Sequence, residues 1–286
     1  QNTYDTLGRL VKTVDALGAG TTYTYDGLGR ELTRTDALQQ AGGSTTTTVY
    51  DDAGGTVTVS QDNGLATIRA YDRAGRLVSV QQRAGAGGPS LGTTQYTYDP
   101  AGRLTMTQDP TGVRQWNLYD AAGRREAQID GNGSISVTLY DGAGLARLTV
   151  QYATPINVAG LGSSPTLDSI ARTATAADRW THYVHDEAGR LVATVDPQGA
   201  VTRHWYDGAS RLVRTTRYAN TVATAPLAAL AGAATAPTLA HLALLESAQD
   251  RSSHRFYDAD GLLRGTLDEE GYLREWRYDN AGRPID

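Results

Sequence analysis

The sequence has no cysteine among its 286 residues, a single lysine (Lys12) and a single phenylalanine (Phe256). Without thiols there is no disulfide framework, no thiolate metal site and no cysteine nucleophile. The compartment stays open, because a large bacterial secreted protein can dispense with disulfides. No apolar run approaches the roughly 18 residues of a membrane-spanning helix. No secretory leader is visible behind Gln1. A basic face is also missing: 26 Lys+Arg stand against 31 Asp+Glu, for a net charge of -5, which argues against nucleic acid as a partner. A Gly-x-Ser-x-Gly elbow, a phosphate loop and a dinucleotide fingerprint are absent as well. No catalytic residue and no cofactor is therefore expected, and the chain reads as a non-enzyme.

What is present is a repeat. Tyr-Asp pairs stand at Tyr4, Tyr25, Tyr50, Tyr71, Tyr98, Tyr119, Tyr140, Tyr206, Tyr257 and Tyr278, and His185-Asp186 occupies the same place in an eleventh motif. The intervals that start at Tyr4, Tyr50, Tyr98, Tyr119, His185 and Tyr257 are all 21 residues. Gly stands three residues after the Asp everywhere except at Ser210, and Arg usually follows. Full copies run Tyr4, Asp5, Gly8, Arg9; Tyr25, Asp26, Gly29, Arg30; Tyr71, Asp72, Gly75, Arg76; Tyr98, Asp99, Gly102, Arg103; and Tyr119, Asp120, Gly123, Arg124. His185, Asp186, Gly189 and Arg190 form a copy with histidine in place of tyrosine, while Gly55, Leu145 and Leu262 replace the arginine elsewhere.

A second turn signal lies ten residues after the first aspartate, as in Asp15 to Gly18, Asp109 to Gly112, Asp130 to Gly133, Asp196 to Gly199 and Asp268 to Gly271. Asp binds the backbone two residues on, and Gly supplies the positive φ that closes the loop. The runs between turns are rich in Thr, Val, Leu and Tyr, which suit a half-buried pleated surface. Each 21-residue unit therefore predicts one β-hairpin, and the chain roughly twenty strands. Lone hairpins are unstable in water, so successive ones must pair edge to edge into a long antiparallel sheet that coils as it twists. The motif tyrosines should form a ladder beside the turns, hydroxyls at a wet rim. Motif Asp and Arg should pair within or between repeats, setting register more than stability.

Two insertions, 153–178 and 219–250, interrupt this single array of residues 1–286. They open alike at Tyr152-Ala153 and Tyr218-Ala219, and close alike at Asp178-Arg179 and Asp250-Arg251. Pro226 to Gly232 and Leu239 to Gln249 favour helix, with Thr224 and Thr238 as caps. Ser164-Pro165 reads as a helix start in the first insertion. Short helices covering apolar sheet are the plain expectation, and a recognition surface the sharper one.

Other chemistry weighs little. His182 and His185 lie three apart on one strand and face opposite sides, so with His204 they make a poor metal site. Asp258-Ala-Asp260-Gly261 lacks the distal ligands of a calcium loop. No metal is expected. Trp116, Trp180, Trp205 and Trp276 discriminate between roles: displayed rings would favour a carbohydrate- or receptor-binding scaffold, and packed rings a wall.

Tyr-Asp-x-x-Gly-Arg-Leu, as in Tyr4 to Leu10, Tyr71 to Leu77 and Tyr98 to Leu104, resembles the signature of the RHS/YD-repeat family. The resemblance spans the whole chain apart from the insertions. It implies a spiralling β-sheet that closes into a hollow shell. In bacterial Rhs polymorphic toxins and Tc-type toxin complexes such a shell encloses a C-terminal toxic domain, and in animal teneurins it serves adhesion. The expected partners are thus the remainder of a longer parent chain, an enclosed toxin domain or a cell-surface receptor. The expected location is secreted or on a bacterial cell surface. Toxin-bearing relatives end the shell with Asp-Pro-x-Gly-Leu. Asp109-Pro110-Thr111-Gly112 and Asp196-Pro197-Gln198-Gly199 are followed by Val113 and Ala200 and read as ordinary turns, so the cargo junction is expected elsewhere in the parent.

Overall fold

The computed structural model describes residues 1–36, 43–232, 235–279 and 281–285. The chain divides into two compact units, one of Gln1–Leu118 with Ala159–Thr166, the other of Tyr119–Val158 with Leu167–Asp286. Both are built from antiparallel strands laid down in sequence order, as the alternation of strand runs and Asp-x-x-Gly turns predicts.

Unit one contains β1 (Asn2–Tyr4), β2 (Leu10–Val14), β3 (Gly20–Tyr25), β4 (Glu31–Asp36), β5 (Ser44–Asp51), β6 (Thr56–Gln61), β7 (Leu65–Tyr71), β8 (Leu77–Ala84), β9 (Ser90–Tyr98), β10 (Leu104–Gln108) and β11, which starts at Arg114. Each strand pairs with the next, from Thr3 opposite Lys12 to Met106 opposite Trp116. Its early strands are threonine-rich and carry half-exposed side chains. Thr24 and Thr33 share a hydrogen bond of 2.6 Å, and Thr35 and Thr45 one of 3.0 Å. Such cross-strand hydroxyl pairs hold register without a core. Apart from Ala66 on β7, deep burial of apolar side chains gathers toward the end of this unit, at Met106, Trp116 and Leu118. The Trp116 indole donates to the carbonyl of Gly162 (2.8 Å), so residues of the first insertion cover that ring.

Unit two contains β12 (Arg125–Ile129), β13 (Ile135–Tyr140), β14 (Ala146–Gln151), β15 (Arg179–His185), β16 (Leu191–Val195), β17 (Val201–Tyr206), β18 (Leu212–Arg217), β19 (Arg251–Tyr257), β20 (Leu263–Leu267) and β21 (Leu273–Glu275). Here the two faces differ. One carries Ile129, Ile135, Val137, Leu148, Val150, Val184, Ala193, Val195 and Val201, all buried. The other carries Thr149, which is register partner to Thr181, and Thr194, partner to Thr202. That alternation is the signature of an antiparallel sheet with one face covered.

The second insertion is the cover. It forms α1 (Ala225–Gly232) and α2 (Leu239–Leu242). Leu227 and Leu242 are 1% exposed and sit in one apolar cluster with Val184, Val195, Val201 and Tyr218. Burying each leucine is worth roughly 2 kcal/mol. Thr238 is the N-cap of α2, as expected, and its amide donates to Nδ1 of His241 (3.0 Å). The helix expected through Gln249 is much shorter. Ala243 turns left-handed (φ 44) and ends it, Asn220 takes the Leu245 carbonyl (3.1 Å), and Leu244 returns to the cluster.

The first insertion departs further from expectation. Its predicted helix reduces to one 3₁₀ turn, Leu167–Ser169. Nη1 of Arg172 binds the carbonyls of Leu167 and Ile170, which a continuing helix would need. Ile170 is buried, and this anchors the turn.

Candidate functional site

The candidate site is the repeated motif, and its geometry recurs from copy to copy. Asp5 shows the pattern. Its carbonyl accepts from Gly8 (3.0 Å), and its Oδ1 accepts the amides of Leu7 and Arg9 (both 2.9 Å). Its Oδ2 takes Nε of Arg9 at 2.7 Å. The same Asp–Arg pair closes at Asp26–Arg30, Asp72–Arg76, Asp99–Arg103, Asp120–Arg124 and Asp186–Arg190, all at 2.6–2.8 Å. The pairing expected within or between repeats is thus an intramotif one. The carboxyls of Asp5, Asp26, Asp72 and Asp99 are held below the usual carboxylate range. The arginine's backbone amide is the main cause, and it outweighs the opposing effect of desolvation.

The arginine also reaches forward to the next repeat. Its guanidinium lies over the next motif tyrosine, as Arg9 does at 5.0 Å from the Tyr25 ring centroid. Arg30 lies 4.1 Å from Tyr50, Arg76 4.9 Å from Tyr98, Arg124 4.4 Å from Tyr140 and Arg190 5.1 Å from Tyr206. Arg9 Nη1 further donates to the carbonyl of Asp26 (3.1 Å), tying one turn to the next.

The tyrosine hydroxyls are not at a wet rim, which corrects the sequence expectation. Tyr25 donates to the carbonyl of Leu10 (2.6 Å), Tyr98 to Leu77 (2.8 Å), Tyr140 to Arg125 (2.9 Å), Tyr206 to Leu191 (2.9 Å) and Tyr278 to Leu263 (2.9 Å). In each case the acceptor follows the arginine position of the preceding motif. The acceptor residue sits opposite a bulge in the preceding repeat, as Leu10 does at the register shift between Thr3 and Tyr4, and as Leu77, Leu191 and Leu263 do at theirs. Tyr4 donates to no such carbonyl among the described residues and is 57% exposed.

Gly55 replaces an arginine, and Tyr71 of the next motif makes no hydroxyl bond among the described residues. Asp52 beside it instead captures Arg30 with both oxygens (2.6 and 3.0 Å), which raises the Arg30 pKa further, first through Asp52 and then through Asp26. Leu145 replaces another arginine, and the following motif has His185 in place of tyrosine. The motif with Leu262 also lacks the arginine, yet Tyr278 keeps its bond to Leu263 and takes Arg264 over its ring; only at Leu145 and His185 are both partners of the forward tie replaced, a coupling that sequence reasoning missed. Ser210, standing for glycine, keeps the left-handed turn at φ 61.

The two insertions are built alike, as their shared ends predict. Asp178 Oδ1 accepts the amide of Ala153 (2.9 Å), and Asp250 Oδ1 that of Ala219 (2.8 Å). Ile156 donates to Gly133 and Val222 to Gly199, both at 2.8 Å.

Among the described residues no cluster of three or more His, Asp or Glu is placed to hold a metal. His182 is 2% exposed, and burial with nearby Arg147 pushes its pKa down. Asp258 is engaged by Arg264 (3.0 Å). None of the four indoles is exposed: Trp116 is buried, and Trp180, Trp205 and Trp276 are half-buried. No helix among the described residues is long and apolar enough to cross a membrane.

The RHS Repeat family model matches residues 4–44, 88–114 and 175–223. No curated protein matches the chain. Among solved structures, the crystal structure of TcdB2-TccC3 aligns over 99% of this chain with a TM-score of 0.54 and 17% identity. That of TcdB2-TccC3-TEV does so over 99% with a TM-score of 0.53 and 14% identity. At these identities the likeness is one of fold. The chain spans 16% of the length of either.

Proposed function

From the premise that this chain is an array of RHS repeats, we propose that it is a non-catalytic wall segment of a β-shell, and that the shell encloses a C-terminal toxin or effector of the same parent protein. The observation that carries the reading is the forward tie between repeats, in which Arg9, Arg30, Arg76, Arg124, Arg190 and Arg211 each grip their own turn and the next tyrosine. Such a tie makes a continuous wall whose repeats depend on their neighbours, the property of a quasi-one-dimensional array. Fold similarity over almost the whole chain to a structure six times longer supports a segment of a larger assembly. Packed indoles favour a wall over a displayed carbohydrate-binding surface. On this reading the parent is secreted or held on a bacterial cell surface.

Limited proteolysis with mass spectrometry on the full-length parent tests it. A C-terminal fragment that survives only while the repeats are intact is the expected result. Free digestion of downstream sequence while the repeats resist would overturn the container and leave a scaffold that encloses nothing.

A further inference from the structure

The motif arginines have carboxylate partners, but two arginines outside the motif, around Trp205 on β17, do not. Arg203 and Arg214 hold their guanidinium carbons 4.6 and 4.5 Å from the centroid of the Trp205 ring. Arg214 spends N–H groups on hydroxyls alone, Nε on Thr216 (3.0 Å) and Nη2 on Ser252 (3.2 Å). Arg203 makes no hydrogen bond or ion pair among the described residues. Asp207, the carboxylate in the neighbouring wall, is taken by Arg211 at 2.7 Å. Half-buried cations without a counter-charge are costly, and guanidiniums stacked on an indole are pre-organised to grip an oxyanion with their free edges.

A cleft of about 520 Å³ adjoins this stack, lined by Trp205, Arg214, His254 and Phe256 among others. Phe256 is 47% exposed and stacks on His254 with ring centroids 6.4 Å apart. The cleft thus offers Arg214 at one end and an apolar ring at the other, and Arg203 lies against the same indole. The two ring distances bound the separation of the guanidinium carbons at about 9 Å. Carboxylates on alternate residues of an extended peptide, roughly 7 Å apart, fall within that bound and can reach both guanidiniums.

We propose that Arg203, Arg214 and Phe256 form a binding site for an acidic polypeptide segment in extended conformation, with carboxylates on alternate residues. The site goes beyond the wall role and stands or falls independently of it.

The test is isothermal titration of the 286-residue chain with the peptide Glu-Thr-Glu-Thr-Phe, with its Gln-Thr-Gln-Thr-Phe analogue, and with inorganic phosphate. The acidic peptide should bind, and the neutral analogue should bind at least tenfold more weakly. Arg203→Gln and Arg214→Gln should each weaken the acidic peptide at least tenfold, while Arg34→Gln, which removes an equal charge elsewhere, should leave it unchanged. Arg203 makes no hydrogen bond within the described fold, so its variant stays informative if Arg214→Gln unfolds. Equal binding of phosphate and peptide would overturn the acidic-peptide assignment. Absence of binding, or binding indifferent to both arginines, would overturn the site.

Discussion

The docking of the second insertion on Gly199 can be tested by adding one methyl group. Gly199 has φ +85, and a Cβ built there would meet the Val222 carbonyl oxygen at 2.3 Å. Gly271 occupies the same turn position with φ +90 and has nothing within 4 Å. Alanine at either site carries the left-handed penalty of ~1–2 kcal/mol, partly offset by a stiffer unfolded chain. Only at Gly199 must the insertion also move. That movement breaks the Val222 to Gly199 hydrogen bond of 2.8 Å, worth about 1 kcal/mol, and draws Val222 off the cluster around Leu227 and Leu242, which costs ~1–2 kcal/mol more. Gly199→Ala should therefore loosen the insertion by ~2–3 kcal/mol more than Gly271→Ala loosens its own turn. Hydrogen exchange with mass spectrometry reads this directly. Amides of residues 219–232 should exchange about 30- to 100-fold faster in Gly199→Ala, with the Gly271 variant unchanged there. Equal protection of that segment in both variants would refute the claim that the insertion is pinned by this contact.

Tyr206→Phe removes the hydroxyl bond to the Leu191 carbonyl and should cost about 1 kcal/mol, whereas Tyr71→Phe, whose hydroxyl has no partner among the described residues, should be near neutral; urea denaturation of the two variants decides. Ser210→Gly relieves a serine at φ 61 and should stabilise by a few tenths of a kcal/mol after the added flexibility of the unfolded chain, seen as a small rise in Tm. Acid should act in two steps. His182 and His204, held below their ordinary value by burial first and then by Arg147 and Arg255, stay neutral in the fold, so the unfolded chain binds more protons and stability falls as pH drops below about 6.5. Asp5, Asp26, Asp72, Asp99, Asp120, Asp186, Asp207 and Asp279 have lowered folded values, so their stabilisation is complete above about pH 4 and is lost as pH falls through those values. A urea midpoint that stays flat from pH 7 to 3 would contradict both steps.

Strand number, turn positions and the likeness of the two insertions were legible because each rests on a local rule. Asp130 and Asp196 announce their turns through the glycine three residues on, whatever the rest of the chain does. The tyrosine hydroxyl was misplaced because its acceptor is a carbonyl opposite a bulge in the preceding repeat, which no local pattern encodes. Helix in the insertions was overestimated for a similar reason. Alanine and leucine content favours helix after Leu239, but tertiary demands on Leu244 and Asn220 override it. At Arg172 a side chain competes for the carbonyls that a helix would have used.

Motif departures and the special chemistry of this chain coincide. In the motif that has Gly55 in place of arginine, Asp52 forks onto Arg30, so that repeat is tied both by a carboxylate and by the Tyr50 ring. Where the repeat keeps its tyrosine but gains Arg203 and Trp205 just before it, the added cation has no carboxylate to meet. A wall requires only the repeating tie. Guanidiniums with no carboxylate partner beside an exposed phenylalanine add nothing to that tie and carry a desolvation cost, which the proposed acidic segment would offset.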